Sequence, residues 1–183
     1  MDLELERQKL RRAAIRSVLY SVYPSPMGEG LIFSSIGRDL TPTHHNLREA
    51  LIYLRDRKQV NITRRGGISI VGLSADGLDR VESSEDFNPA RARQSRMLRL
   101  RVLQALSWGG SELMGNALIR AALREDTDLD LSDPALERSL AYLEARGLCA
   151  REENLSRILP DGTDYLAGEG ADITGVTRPT DWS

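Results

Sequence analysis

Apolar residues recur at helical spacing in three stretches of the first half of the chain, and the pattern then changes to that of strands. The apolar positions of the first helix, over residues 3–22, are Leu10, Ala14, Val18 and Val22. A short helix over residues 29–36 follows, and a third helix begins after the N-cap Thr43 and ends near Lys58. Residues 60–63 and 68–73 alternate as two strands around Gly66-Gly67, which favours a tight hairpin turn.

The second half of the chain predicts the same order of elements. Its helices are expected near residues 93–107, after an N-cap at Ser111, and after an N-cap at Ser132 with Pro134 in the first turn. Gly147 ends the third helix, and residues 148–152 and 155–159 form a second hairpin. The predicted fold class is therefore mainly α with small β-hairpins.

An internal repeat supports this organisation. Residues 47–57 share their leucine, tyrosine and arginine pattern with residues 136–146, at an offset of 89. The segment 76–79 (Asp-Gly-Leu-Asp) is similar to 161–164 (Asp-Gly-Thr-Asp) at an offset of 85, so the second hairpin is four residues shorter. A polar linker over residues 83–90 then predicts two tandem domains, 1–88 and 89–183.

The order of elements resembles that of winged-helix DNA-binding domains, in which a two-stranded wing follows three helices. Residues 96–180 are also similar to the small winged-helix proteins of Mu-like phages and prophages. The matching residues are Leu143, Gly147, Gly162, Asp164, Gly168 and the closing Gly175-Val176-Thr-Arg178-Pro179. That family normally has one such domain, and the first half of this chain departs from it. The resemblance implies a fold and a phage or prophage context, but no reaction.

Charge is distributed unevenly along the chain, although the net charge is only −2. Residues 36–70 hold seven basic and three acidic side chains, which suits contact with phosphates. In winged-helix domains the third helix enters the major groove and the wing reaches flanking phosphates. The predicted interface with double-stranded DNA in the first domain comprises Thr43, His44, His45, Asn46, Arg48, Arg55, Arg64 and Arg65. Glu49 and Asp56 on the same helix favour the alternative of a merely solvated face.

The second domain has the opposite charge. Residues 111–183 hold seven basic and fifteen acidic side chains, which repel a phosphate backbone. Glu137 and Glu144 stand where the first domain has Arg48 and Arg55. In a homodimer these pairs of opposite charge are expected to face one another. The predicted contact surface for a protein partner, or for a second copy of the chain, comprises Glu137, Arg138, Ala141 and Glu144.

A calcium loop is the weaker interpretation of the segment 126–137. Asp126, Asp128, Asp130 and Glu137 stand at positions 1, 3, 5 and 12 of such a loop. Position 6 is Leu131, however, where the sharp turn needs glycine. The repeat also assigns the end of this segment to the start of a helix, which holds Glu137 away from the loop.

Apart from the incomplete calcium loop, no motif of a catalytic, cofactor or metal site is evident. His44 and His45 are adjacent on a helix and cannot share a metal ion without ligands from elsewhere, and Cys149 is the only cysteine. No apolar run is long enough to cross a bilayer, and the charged start lacks a secretory signal, so a cytoplasmic protein is expected. The predicted function is a non-enzymatic phage DNA-binding protein, a regulator or packaging accessory without a cofactor. The alternative is a protein-interaction adaptor whose winged-helix folds do not bind DNA.

Overall fold

The structure is a computed structural model that describes residues 3–37, 39–41, 43–124 and 129–168. The chain divides into two compact units, which we call unit 1 (residues 1–84) and unit 2 (residues 85–183). The described residues are mainly helical, with one small antiparallel sheet in each unit, so the predicted fold class is confirmed at this level. None of the helices in these ranges is long and apolar enough to cross a membrane. The segment 175–179 lies outside the described residues.

The described part of unit 1 contains four helices and a three-stranded sheet. In chain order its elements are α1 (Leu3–Val22), β1 (Met27–Gly28), α2 (Glu29–Ile36), α3 (His44–Asp56), β2 (Val60–Arg65), β3 (Ile68–Leu73) and α4 (Ala75–Glu82). The strand order is β1-β3-β2, with antiparallel pairing throughout. The hairpin turn holds Gly66 and Gly67 at positive φ, as the sequence predicts.

The core of unit 1 forms where one face of each helix meets the sheet. Leu47, Leu51 and Leu54 of α3 are buried, which confirms the predicted inner stripe. They share the core with fully buried Ile15 of α1 and Ile32 of α2. Burial of each such side chain stabilises the unit by about 1.5–3 kcal/mol before the cost of ordering the chain. The position of α3 is therefore fixed by packing, and its polar face is left for other contacts.

Unit 2 has the same order of elements. They are α5 (Pro89–Trp108), β4 (Met114–Gly115), α6 (Asn116–Ala122), α7 (Asp133–Ala145), β5 (Cys149–Glu152), β6 (Leu155–Ile158) and α8 (Pro160–Ala167). The strand order is β4-β6-β5, again antiparallel. The N-cap of α7 is Ser132, as predicted, and Gly147 beyond its end has a positive φ of 72°.

Three details of the sequence prediction are wrong. Each sheet has a third strand, because Met27-Gly28 pairs with β3 and Met114-Gly115 pairs with β6. Ser111 is not an N-cap, since the chain first forms β4 and α6 begins at Asn116. Helix α5 begins at Pro89 instead of near residue 93, because the Asn88 side chain accepts hydrogen bonds from two amides of its first turn. The sequence also gave no indication of α4 and α8.

The Asp-Gly pairs of the internal repeat mark a close backbone contact in each unit. If a Cβ atom were added to Gly77 in α4, it would lie 2.0 Å from the carbonyl oxygen of Gln59. A Cβ atom added to Gly162 in α8 would lie 2.2 Å from the carbonyl oxygen of Leu148. Both distances are too short for the Cβ atom of any side chain, so both positions require glycine. The two units therefore share the packing of their last helix against the start of the hairpin.

A tyrosine on the third helix of each unit contacts an arginine of the first helix; Tyr142 is buried and Tyr53 is exposed. The guanidinium of Arg12 lies 3.5 Å from the ring centroid of Tyr53, and that of Arg99 lies 4.0 Å from the centroid of Tyr142. Both distances are within the range of cation–π attraction. The contact fixes the third helix against the first in both units.

Candidate functional site

A groove of about 640 Å³ lies between α3 and the β2–β3 hairpin of unit 1, and we call it the α3–hairpin groove. Its basic lining residues are Arg48 and Arg55 of α3 and Arg64 of β2. The remaining lining residues are Glu29, Leu51, Ile52, Ile62, Gly67 and Ser69. The groove thus combines an apolar surface with three guanidinium groups.

Local geometry explains why the three arginines face one groove. Arg48, Ile52 and Arg55 are spaced by four and three residues, which places them on one face of a helix. Ile62 and Arg64 are two residues apart on β2, so they lie on the same face of the sheet. Burial of the leucine stripe turns this face of α3 towards the hairpin. The structure therefore brings together three of the residues predicted to contact DNA.

The positive charge of the groove is only partly balanced. Arg48 Nε donates a hydrogen bond of 2.8 Å to Oε1 of Glu29, whose side chain is only 13% exposed. Arg55 donates to its neighbour Asp56 at 3.1 and 2.9 Å, with both side chains largely in solvent. The exposed Arg55–Asp56 pair stabilises the protein by about 0–1 kcal/mol, so a phosphate can replace Asp56 as the partner of Arg55 at small cost.

The end of the hairpin carries cations without a counter-ion. Arg64 and Arg65 are exposed and have no hydrogen-bond or ion-pair partner among the described residues. They precede Gly66 and Gly67, which lack side chains that could obstruct the approach of a large ligand. Two unpaired guanidinium groups at an accessible turn are a suitable contact for an anion such as a phosphodiester.

The other predicted DNA-contacting residues lie at the start of α3 and do not line the groove. Thr43 Oγ1 accepts a hydrogen bond of 3.2 Å from the amide of Asn46 and donates one of 2.6 Å to Oδ1 of the same residue. His44 stacks on Phe33, with 3.9 Å between ring centroids. His45 Nε2 lies 3.3 Å from Oε1 of Glu49. Each of these polar side chains therefore has a partner within unit 1.

In unit 2, the place between α7 and the β5–β6 hairpin corresponds to the α3–hairpin groove and carries the opposite charges. Arg151 stands at the position of Ile62, at the offset of 89 that relates α3 to α7. Its Nη2 donates to both carboxylate oxygens of Glu137 at 2.8 Å, and its Nη1 lies 3.9 Å from Glu144. One cation is thus held between two carboxylates, and its side chain is only 18% exposed. The cation of this place is therefore satisfied within unit 2, and the three side chains together keep an excess of one negative charge.

The residues predicted to contact protein in unit 2 are less accessible than the sequence suggests. Arg138 and Ala141 are half-buried, and Arg138 Nε donates to the carbonyl oxygen of Pro134 at 3.2 Å. The carboxylate of Glu137 accepts hydrogen bonds from Arg151, whereas Glu144 is exposed. The charges predicted to pair between two copies of the chain therefore already have partners within their own unit.

The carboxylates of the possible calcium loop that lie within the described residues already have other partners. Asp126 and Asp128 lie outside the described residues. Hydrogen bonds from the hydroxyl and the amide of Ser132 hold the pKa of Asp130 below its ordinary value, the hydroxyl contributing more. Glu137 has both oxygens on Arg151. Within the described ranges, no group of three or more histidine, cysteine, aspartate or glutamate side chains could hold a metal ion.

Cys149 is a buried structural thiol. Its Sγ donates to the carbonyl oxygen of Leu140 at 3.8 Å, and burial raises its pKa to about 12. Burial is the largest cause of this raised pKa; the nearby charge of Glu144 also contributes to it, against a smaller opposite effect of Arg151. Because only the thiolate is a strong nucleophile, Cys149 is unreactive at neutral pH.

Sequence reasoning missed Glu29 and the apolar lining of the groove. Glu29 opens α2 and is 19 residues from Arg48, so their ion pair depends on how α2 packs against α3. No spacing rule along one helix can indicate a contact of that kind.

No protein-family model, curated protein or solved structure matches the chain. The function is therefore argued from the geometry and charge of the groove.

Proposed function

We propose that the chain is a non-enzymatic protein of two tandem winged-helix domains, of which unit 1 binds double-stranded DNA. The observation that carries this proposal is the α3–hairpin groove, where Arg48, Arg55 and Arg64 face one space with a single lining carboxylate. The order of elements in each unit, three helices before a hairpin, supports the fold. In this arrangement α3 is the element that enters the major groove, and the hairpin is the wing.

The groove suits one strand of a DNA backbone. Phosphates placed between α3 and the hairpin meet guanidinium groups on both walls, while Ile52 and Ile62 offer apolar surface to the sugars. Arg65 extends the positive surface to the hairpin end. With about four phosphates neutralised, the logarithm of the association constant falls with the logarithm of salt concentration at a slope of about −3.6. Raising salt from about 50 to 200 mM then weakens binding roughly 100-fold.

Fluorescence anisotropy of a labelled duplex, titrated with the full chain over this range of salt, tests the proposal. Replacing Arg64 with alanine is expected to weaken binding and to bring the slope closer to zero by about 1, because one phosphate contact is lost. Arg157→Ala is the matched control, since Arg157 is a half-exposed arginine of unit 2 that lies 3.8 Å from Glu152. Absence of binding at the lowest salt contradicts the proposal.

Unit 2 contacts protein in this proposal, either a partner or a second copy of the chain. The support is its acidic surface and the neutralisation of the place that matches the groove. If copies pair through Glu137 and Glu144, changing both to lysine weakens self-association. Unchanged sedimentation of that variant excludes the pairing. A phage regulator or packaging accessory is the role that the sequence resemblance adds to this proposal.

A protein-interaction adaptor is the second candidate function. It is favoured by exposed apolar side chains in unit 1, where Leu31, Ile52 and Ile68 are 63%, 48% and 61% exposed. The adaptor predicts that no duplex DNA is bound at any salt concentration. The anisotropy titration therefore separates the two functions directly.

A further inference from the structure

We infer that unit 1 binds the DNA backbone without reading base sequence, so that its ligand is duplex DNA of any sequence. This inference rests on the proposed function and concerns how the same surface is used. Two features carry it. The polar side chains at the start of α3 already have partners within unit 1, whereas the cations at the hairpin end are unpaired and suit phosphates.

Asn46 is the residue at the start of α3 best suited to read a base, because an asparagine contacts adenine through both atoms of its amide. In the structure its Oδ1 accepts a hydrogen bond of 2.6 Å from Thr43 Oγ1. The same hydroxyl accepts from the Asn46 amide and caps α3. Reading adenine therefore requires loss of a short hydrogen bond at the helix cap.

The two histidines are held in a similar way. The ring of His44 in α3 is stacked on the ring of Phe33 in α2 at an interplanar angle of 15°, and this stacking orients the His44 ring against α2. His45 is paired with Glu49, one turn further along α3.

Arg48 is the remaining candidate for base contact in the first turns of α3, since arginine reads guanine through two donors. Its Nε is bound to Glu29, and that carboxylate lies in the wall of the groove with little exposure. The guanidinium is thus oriented across the α3–hairpin groove. From this position it can meet a phosphate that lies in the groove together with Arg64.

Selection from a library of randomised duplexes tests the inference with the full chain. After several rounds of binding to immobilised protein, sequencing of the retained duplexes is expected to show no enriched motif. Individual retained duplexes should bind within about tenfold of one another, compared with about 10³–10⁷ between specific and non-specific sites of a sequence reader.

Two variants sharpen the test. Asn46→Ala is expected to change affinity by less than about threefold on every duplex, because its amide still donates to the Thr43 cap. Replacing Arg64 and Arg65 with alanine together is expected to weaken binding on all duplexes by about tenfold or more, because two phosphate contacts are lost.

The outcomes separate the inference from the proposed function. An enriched motif whose preference is lost in the Asn46→Ala variant overturns the inference and leaves DNA binding intact. Retention of no duplex at low salt, with helical content unchanged by circular dichroism, overturns the proposed function and the inference with it. Retention of unrelated sequences, together with a uniform loss in the double arginine variant, supports both.

Discussion

Replacing Gly77 with alanine is expected to destabilise unit 1 severely, although it adds a single methyl group. The new Cβ atom lies 2.0 Å from the carbonyl oxygen of Gln59 and 2.8 Å from Cδ1 of Leu73. An ordinary contact needs more than 3 Å, so the backbone of α4 or of the segment before β2 must move. That carbonyl oxygen also accepts a hydrogen bond of 3.1 Å from the amide of Ser74, which the movement breaks.

The expected loss can be worked out from these contacts. Overpacking of this kind costs about 1–3 kcal/mol. Loss of the hydrogen bond to the Gln59 carbonyl adds about 1–3 kcal/mol if that group stays buried. Alanine recovers up to about 1 kcal/mol through its higher helix propensity. The net loss is therefore about 1–6 kcal/mol, a large part of the total stability of a small domain.

Urea denaturation of the full chain, followed by far-ultraviolet circular dichroism, measures this loss. Gly30→Ala is the matched control, because Gly30 lies in α2 of the same unit and a Cβ there meets nothing within 4 Å. It should leave stability unchanged or raise it by up to about 1 kcal/mol. Gly162→Ala repeats the perturbation in unit 2. If Gly77→Ala and Gly30→Ala have the same midpoint, the close packing of α4 on Gln59 is refuted.

Two further predictions concern buried side chains. Tyr142 is fully buried, whereas Tyr53 is 36% exposed. In the same denaturation experiment, Tyr142→Ala should lower the free energy of unfolding by about 3–5 kcal/mol, and Tyr53→Ala should lower it clearly less. Equal losses for the two variants contradict the difference in burial. Because the pKa of Cys149 is raised to about 12, its thiolate is scarce at pH 8, and a disulfide reagent should label the native protein about 10³-fold more slowly than the protein in urea. Labelling at one rate in both conditions rules out the buried thiol.

The sequence predicted those elements whose pattern is local. The leucine stripe of α3, its N-cap and the glycines of the first hairpin are all signals within a few residues, and these elements lie where expected. The strands β1 and β4 have two residues each and exist through pairing with β3 and β6. The helices α4 and α8 have eight residues each, and their third residue is a glycine that lowers helix propensity, so packing maintains them.

The candidate site shows the same limit. Arg48, Arg55 and Arg64 could be predicted as one basic surface because helix and strand periodicities are regular. The partners that modify this surface could not be predicted. Glu29 reaches Arg48, and Phe33 reaches His44, through the packing of α2 against α3. Those contacts are the basis of the inference that this surface contacts a DNA backbone and does not read bases.

The carboxylates around Arg151 also bear on how two similar units fold without the hairpin of one unit docking on the third helix of the other. Because α3 and α7 bury the same leucine pattern, apolar contacts alone let the hairpin of unit 2 dock on α3, and such misassembly is a known hazard of tandem repeats. In that exchanged pairing Arg151 takes the place of Ile62 and faces two arginines instead of two glutamates. A half-buried cation among like charges is strongly unfavourable. The hairpin of unit 2 is therefore directed to α7 and away from α3.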